Sequence, residues 1–373
     1  MKGRVVVLDK PLGKFEILEV DVPEPKNGEV LIRQEACGVC GTDVHIYQGH
    51  LPGARFPTVL GHEIIGTIEK LGGEVEQDFT GRPVKEGDRI YVVPGLQCGR
   101  CYFCSVIKEP TLCIDPRRTA YGFTPYPEQM PSFQGGYADF LYINHPFSNF
   151  VKMNVPPEVG VTLEPLTIGV HMVERAKLHI ACTVVIQGSG AIGLAGLVAA
   201  REAGAIKTIV VGAPQTRLDL AKKLGADEVV NIEQVTDPAE RIGLAKALTE
   251  KELGADAVFE CTGSPKAIPE GISMLRRGGT YVVAGHFTDV GEVSINPYLH
   301  LNNKHITLIG VWGSSAAHFV YGRSIMEAKT YLFEDAVSHK LPLERVEEAM
   351  KSLMTDYRLD GEEVRKIAIS SRI

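Results

Sequence analysis

Within six residues of this chain stand the thiol of Cys40, the hydroxyl of Thr42, the carboxylate of Asp43 and the imidazole of His45. His62 and Glu63 follow in the run Leu60-Gly61-His62-Glu63, and Glu164 comes much later in Leu163-Glu164-Pro165-Leu166-Thr167. Thiolate, imidazole and carboxylate are the ligand types of zinc. A catalytic zinc takes three protein groups and keeps its fourth position for water or substrate. Cys40, His62 and Glu164 read as that set. Cys37, three residues upstream, has no ligand role here and reads as a small core residue.

A second group of thiols has a different character. Cys98, Cys101 and Cys104 are each separated by two residues, and Cys113 follows after a gap of eight. Tight turns of this spacing point successive sulfurs at one tetrahedral ion. Four cysteines close the coordination shell, so the site stabilises a lobe, residues 95–115, and does no chemistry. The expectation is two zinc ions per chain, one catalytic and one structural.

A third pattern is nucleotide-like. The apolar run Thr183 to Gln187 is followed at once by Gly188-Ser189-Gly190-Ala191-Ile192-Gly193 and an alanine-rich helix to Ala203. Between a buried strand and a helix, these glycines make the tight turn, admit a pyrophosphate to the backbone and let helix and strand pack closely. The helix start supplies N–H groups and a favourable dipole to that phosphate. Gly188, Gly190, Ile192 and Gly193 are the candidate cofactor residues of this turn. The second strand ends Val210-Val211-Gly212-Ala213-Pro214, so Gly212 stands where an acidic residue would hold the ribose hydroxyls of NAD. Loss of that carboxylate removes repulsion against a 2′-phosphate, and Gln215, Thr216 and Arg217 lie just beyond as donors. The reading leans to NADP over NAD.

In their order, the GVCGTDVH-type segment, the GHE motif, the cysteine lobe, the EPL motif and the nucleotide turn resemble the medium-chain zinc-dependent alcohol dehydrogenase family, over nearly the whole chain. The nearest branch is of the polyol and threonine dehydrogenase type. The resemblance implies a GroES-like β-barrel catalytic domain and a doubly wound parallel (Rossmann) sheet, an α/β protein. It implies Cys40 and His62 as zinc ligands, Glu164 as the third, and Glu63 as a nearby carboxylate able to enter the coordination sphere. Thr42 takes the substrate proton, His45 is the far end of that relay, and Asp43 orients the ligand histidine. Arg365 matches a position that reaches the cofactor pyrophosphate. A homodimer or homotetramer is expected. The gap between Cys104 and Cys113 is one residue longer than the family pattern, which bears on the loop path and not on the metal.

The elements that must carry these residues divide the chain. Its 373 residues suit two domains. Short strands at 4–8, 15–22, 29–36, 64–71 and 88–93, with Pro and Gly punctuation, predict an all-β beginning with no helix of note. A helix is expected over 158–177. Strands at 183–187, 208–211, 228–232, 257–260, 280–285 and 306–310 then alternate with helices, the mark of a doubly wound parallel sheet. After residue 313 the chain should return to the first domain, with helices at 319–332 and 343–354 and a closing strand at 364–369. The expected domains are 1–165 with 314–373, and 166–313. The loop 114–135, rich in proline and aromatic residues (Pro116, Tyr121, Phe123, Pro125, Tyr126, Pro127, Pro131, Phe133), either lines a substrate pocket or packs on the barrel or a neighbouring subunit.

Composition excludes other classes. With 39 Lys plus Arg against 46 Asp plus Glu, the net charge of −7 argues against binding nucleic acid. No apolar run reaches the ~20 residues of a membrane span, and the amino terminus lacks a signal-peptide core. The eight cysteines, four of them clustered, fit metal ligands in a reducing compartment, the cytosol. Two competing readings stay open here. One is a metal-free enoyl or quinone reductase of the same superfamily, which typically lacks the Cys–His–Glu set. The other is a zinc-ribbon-like binding module, against which the acidic charge weighs.

Overall fold

The computed structural model describes residues 1–123, 130 and 132–372; Pro125, Tyr126, Pro127 and Pro131 of the long loop lie outside the described residues. The chain divides into two compact units, Met1–Glu164 with Ser315–Ile373, and Pro165–Ser314.

In the first unit β1 (Lys2–Leu8), β2 (Phe15–Asp21) and β3 (Val30–Val39) lead into a short helix, α1 (Gly41–Tyr47). The expectation of no helix in this region is therefore corrected. The helix forms because Cys40 caps it: the Cys40 thiol accepts from the Thr42 N–H, and the Asp43 carboxylate reaches back to the Cys40 N–H in a reciprocal capping box. β4 (Glu63–Leu71), β5 (Arg89–Val93), β6 (Phe140–Ile143) and β7 (Asn149–Lys152) follow. Between them the cysteine lobe is a π-helical turn, Phe103–Ile107, and a 3-10 turn, Pro110–Leu112. The helix expected over 158–177 is in two pieces, a single turn at Pro157–Gly160 and then α2 (Leu163–Ala176). The Thr162 hydroxyl donates to the Val159 carbonyl and takes an acceptor that a continuous helix would use.

The second unit alternates strand and helix: β8 (Thr183–Gln187), α3 (Ala191–Glu202), β9 (Lys207–Gly212), α4 (Gln215–Lys223), β10 (Glu228–Asn231), α5 (Pro238–Ala247), β11 (Ala255–Glu260), α6 (Ala267–Met274), β12 (Leu275–Val283) and β13 (Thr307–Gly310). All six strands pair in parallel in the order β10-β9-β8-β11-β12-β13. That order reverses between β8 and β11, the switch point outside which dinucleotides bind. Val185, Ile209, Val258, Ile272 and Tyr281 are fully buried between sheet and helices. α5 stops at Ala247, short of Lys251, whose φ of 51° is incompatible with a helix.

The chain re-enters the first unit as α7 (Ala316–Ala328), β14 (His339–Leu341), α8 (Val346–Met354) and β15 (Ile367–Ile369). β14 was not foreseen, because three residues carry too short a period to read. The large sheet of this unit runs β7-β5-β4-β3-β15-β14, with β6 also on β3. Its apolar core includes Leu8, Ile32, Ile64, Tyr121, Leu141 and Ile367. β1 and β2 form a smaller sheet with Thr58–Val59.

Candidate metal centres and nucleotide turn

Cys40, at the end of β3, faces His62, just before β4; their Sγ and Nε2 atoms are 3.4 Å apart. Ligand bonds of ~2.3 Å to sulfur and ~2.0 Å to nitrogen at a tetrahedral centre would set those two atoms about 3.5 Å apart. The donor atoms of Cys40, His62 and Glu63 all lie within 4.8 Å of one another, in a spot where His62 and Glu63 are buried. Glu164 is not part of that group. It lies close enough for its carboxyl to be pushed up to about 7, first by burial, with the Glu63 and Asp43 charges adding and those of His62 and Lys366 opposing.

Asp43 is wholly buried and organises these groups. Its Oδ2 accepts from the Cys40 N–H at 3.0 Å and its Oδ1 from the Gly61 N–H at 3.1 Å. Oδ1 also faces His62 Nδ1 at 3.6 Å, which turns His62 Nε2 toward Cys40. Burial opposes a charged imidazole at His62, yet Cys40 and Asp43 outweigh it and raise its pKa well above the ordinary value. Burial raises the Cys40 thiol against the pull of His62. The donor chemistry and the spacing both fit zinc.

Thr42 and His45 lie three residues apart on α1, on one face of the helix. His45 sits below its usual range, first through burial and then through His50, whose ring centroid is 6.1 Å away. Phe123, on the long loop, sets its ring against that of His62 at 5.9 Å, edge to face. Tyr121 and Phe133 of the same loop are core residues. Of the loop's described residues, Tyr121 and Phe133 pack on the barrel and Phe123 faces His62.

Sequence reasoning missed Lys366. Its ammonium pairs with the Glu63 carboxylate, and both side chains are nearly inaccessible. Arg365, the residue picked out instead, is exposed, and its backbone N–H donates to the Ser338 hydroxyl. One step along an extended chain changes the face.

In the cysteine lobe the Cys101 and Cys104 sulfurs are 3.5 Å apart, Cys113 and Cys98 3.5 Å, and Cys101 and Cys113 4.0 Å. Tetrahedral Zn–S bonds of ~2.3 Å imply sulfur separations of about 3.8 Å, so the lobe fits one ion. Backbone N–H groups near Ile114 and Cys104 pull the Cys101 thiol down to about 6, while burial pushes Cys104 up to about 12.

In the second unit Gly188 has a φ of 104°, and Gly190 is the N-cap of α3. A β-carbon on Gly193 would overlap the Gly188 carbonyl oxygen. At Gly212 a β-carbon would meet Ser189 Oγ at 2.8 Å and Ser189 N at 2.9 Å. Close packing on the glycine turn therefore excludes a side chain, and with it a ribose-binding carboxylate, from that strand end. Arg217 is half-buried in the first turn of α4. No helix among the described residues is long and apolar enough to cross a membrane.

Family models match both units: the alcohol dehydrogenase GroES-like domain over residues 26–155 and the zinc-binding dehydrogenase over residues 191–326. The 5-exo-hydroxycamphor dehydrogenase of Pseudomonas putida is 31% identical over 347 residues, covering 91% of this chain and 92% of its own. The sorbitol dehydrogenase of Bacillus subtilis is 30% identical over 341 residues, covering 91% and 90%. Among solved structures, an alcohol dehydrogenase of Thermotoga maritima matches with a TM-score of 0.92 and 32% identity over 99% of both chains.

Proposed function

The chain belongs to the medium-chain zinc-dependent alcohol dehydrogenases, and from that premise we propose that it interconverts a secondary alcohol or polyol and its carbonyl product at a zinc held by Cys40, His62 and a carboxylate, with NADP as the preferred dinucleotide. The observation that carries this reading is the convergence of the Cys40, His62 and Glu63 donor atoms. Glu63 stands within reach to supply the carboxylate, and Glu164 lies nearby, where burial and the His62 and Glu63 charges act on it. Bound zinc supplies Lewis acidity toward a hydroxyl or carbonyl oxygen, and the bound dinucleotide supplies the redox chemistry.

The chain's own residues do the rest. Asp43 fixes the tautomer and direction of His62 and, through the Cys40 N–H, the start of α1. The Thr42 hydroxyl takes the substrate proton and His45 passes it to solvent, a role that suits an imidazole kept neutral by burial. Phe123 covers His62 and excludes water from one side of the site. Cys98, Cys101, Cys104 and Cys113 hold a second, structural zinc. Gly188, Gly190, Ile192 and Gly193 receive the pyrophosphate, and Arg217 the 2′-phosphate that a carboxylate at position 212 would repel. The substrate class rests on the relatives named for sorbitol and hydroxycamphor. Eight free thiols suit a reducing compartment, the cytosol, and the family resemblance favours a homo-oligomer.

The test joins metal content to turnover. Wild-type protein should hold two zinc ions per chain and oxidise secondary alcohols. Cys40→Ser should hold one, bind dinucleotide as before, and lose at least about a thousandfold in kcat, since Lewis-acid stabilisation is worth several kcal/mol. Unchanged turnover in that variant would defeat the assignment.

A further inference from the structure

Glu260, the last residue of β11, is a carboxylate with no exposure at all. Its Oε1 accepts from the Thr262 N–H at 2.7 Å, the Thr262 hydroxyl at 2.6 Å and the Gly263 N–H at 2.8 Å, and its Oε2 from the Gly285 N–H at 3.2 Å. Four donors thus converge on the one carboxylate. On the open side of Oε2 stands His286, with Nε2 at 3.5 Å. That nitrogen is enclosed from solvent and makes no regular hydrogen bond. The side chain is nonetheless 18% exposed, so its accessible area belongs to the rest of the ring. A neutral imidazole carries one proton, and a carboxylate beneath Nε2 draws it there, leaving Nδ1 a hydrogen-bond acceptor.

The location gives this pair a use. β11 and β12 end here, beside the switch point, and a β-carbon on Gly188 would contact the Cys261 carbonyl at 2.9 Å. Gly263 and Gly285 approach so closely that a β-carbon on either would crowd the other's backbone. At Gly188, Gly263 and Gly285 this rim therefore carries no side chain. A dinucleotide on the glycine turn places its adenosine half toward β9, where the ribose-binding position lies, and its other half toward β11 and β12.

Resting on the dehydrogenase reading, we propose that His286, held by Glu260, is a positioning residue for the nicotinamide: its Nδ1 accepts an N–H from the ring carboxamide and fixes which face of the ring is presented.

The experiment uses the full enzyme and whichever dinucleotide, NAD or NADP, binds it more tightly. The probe pair is that dinucleotide and its 3-acetylpyridine analogue, in which a methyl group replaces the amide NH2. The matching ADP-ribose, which lacks the ring, is the control. Wild type should prefer the carboxamide by roughly two- to tenfold in Kd, the net worth of one hydrogen bond. His286→Ala should bind both alike. His286→Asn, whose amide oxygen keeps an acceptor near the place of Nδ1, should restore the preference. ADP-ribose should bind all three proteins equally. A preference retained in His286→Ala would overturn the proposal, and so would parallel weakening of ADP-ribose, which marks a merely structural role. If neither dinucleotide nor ADP-ribose binds wild type, the dehydrogenase reading falls and takes this one with it.

Discussion

The Lys366 ammonium lies on the Glu63 carboxylate across the face of Gly38, with Glu63 wholly buried and Lys366 6% exposed. β3 pairs with β4 at Gly38–Glu63 and with β15 at Gly38–Ala368. A β-carbon on Gly38 would overlap Glu63 Oε2 and come within 2.9 Å of Lys366 Cε. Burial opposes the charge on Lys366, but Glu63 and Cys40 keep it raised above its ordinary value. Removing one partner leaves a buried, unpaired charge. Lys366→Met is expected to lower the stability of the metal-free protein by about 3–5 kcal/mol, read from urea unfolding, and Lys366→Met with Glu63→Gln to recover much of it. An unchanged urea midpoint in the single variant would contradict this.

The cysteine lobe should be separable from the chemistry. Cys104→Ser removes one of four sulfurs spaced for a single ion. Elemental analysis is expected to give one zinc per chain in place of two, with a lower thermal midpoint, because metal affinity contributes to folding free energy. The zinc that remains should be the one lost in Cys40→Ser. If Cys104→Ser keeps two ions, the lobe is not a zinc site.

Much of this was legible before the fold. The parallel strands were most readable where an apolar run is bounded by glycine or a helix start, as in Thr183 to Gln187. The capped helix at Cys40 carried a local signal, a capping group followed three residues later by a carboxylate, but cysteine is outside the usual capping set. Lys366 had no local signal. Its partner is 303 residues away, and only the register of β15 on β3 decides that Lys366 and not Arg365 turns inward. The packing of Gly212 on Ser189 is likewise a contact between strand end and turn that no spacing encodes.

That contact separates two ways of altering cofactor preference. Arg217→Leu should weaken NADPH by roughly 10- to 100-fold, the scale of a hydrogen bond to a charged group, and leave NADH nearly untouched. Gly212→Asp should not simply convert the enzyme to NAD. Its β-carbon meets Ser189 at 2.8 Å, so the glycine turn must shift and both dinucleotides should weaken. Nicotinamide fluorescence titration measures all four affinities. Clean conversion to NADH by Gly212→Asp would show that the turn yields without cost.

A proton relay through His45, as proposed, would set the acid limit of turnover. The His45 pKa is lowered, first by burial, which disfavours the imidazolium, and second by the facing His50. An imidazole must be neutral to accept a proton, so the acid limb of kcat should fall below ~6.5, the value of a free histidine. His50→Ala removes the second cause only. Protonated His45 is then less repelled, its pKa rises, and the acid limb moves to higher pH while staying under the free value. His50→Lys keeps a charge there at every pH used and should leave the limb low. Added salt should shrink the difference, because His50 is exposed. A profile of kcat from about pH 5 to 8 decides it. A limb that stays in place in His50→Ala, or moves down, would remove His45 from the relay.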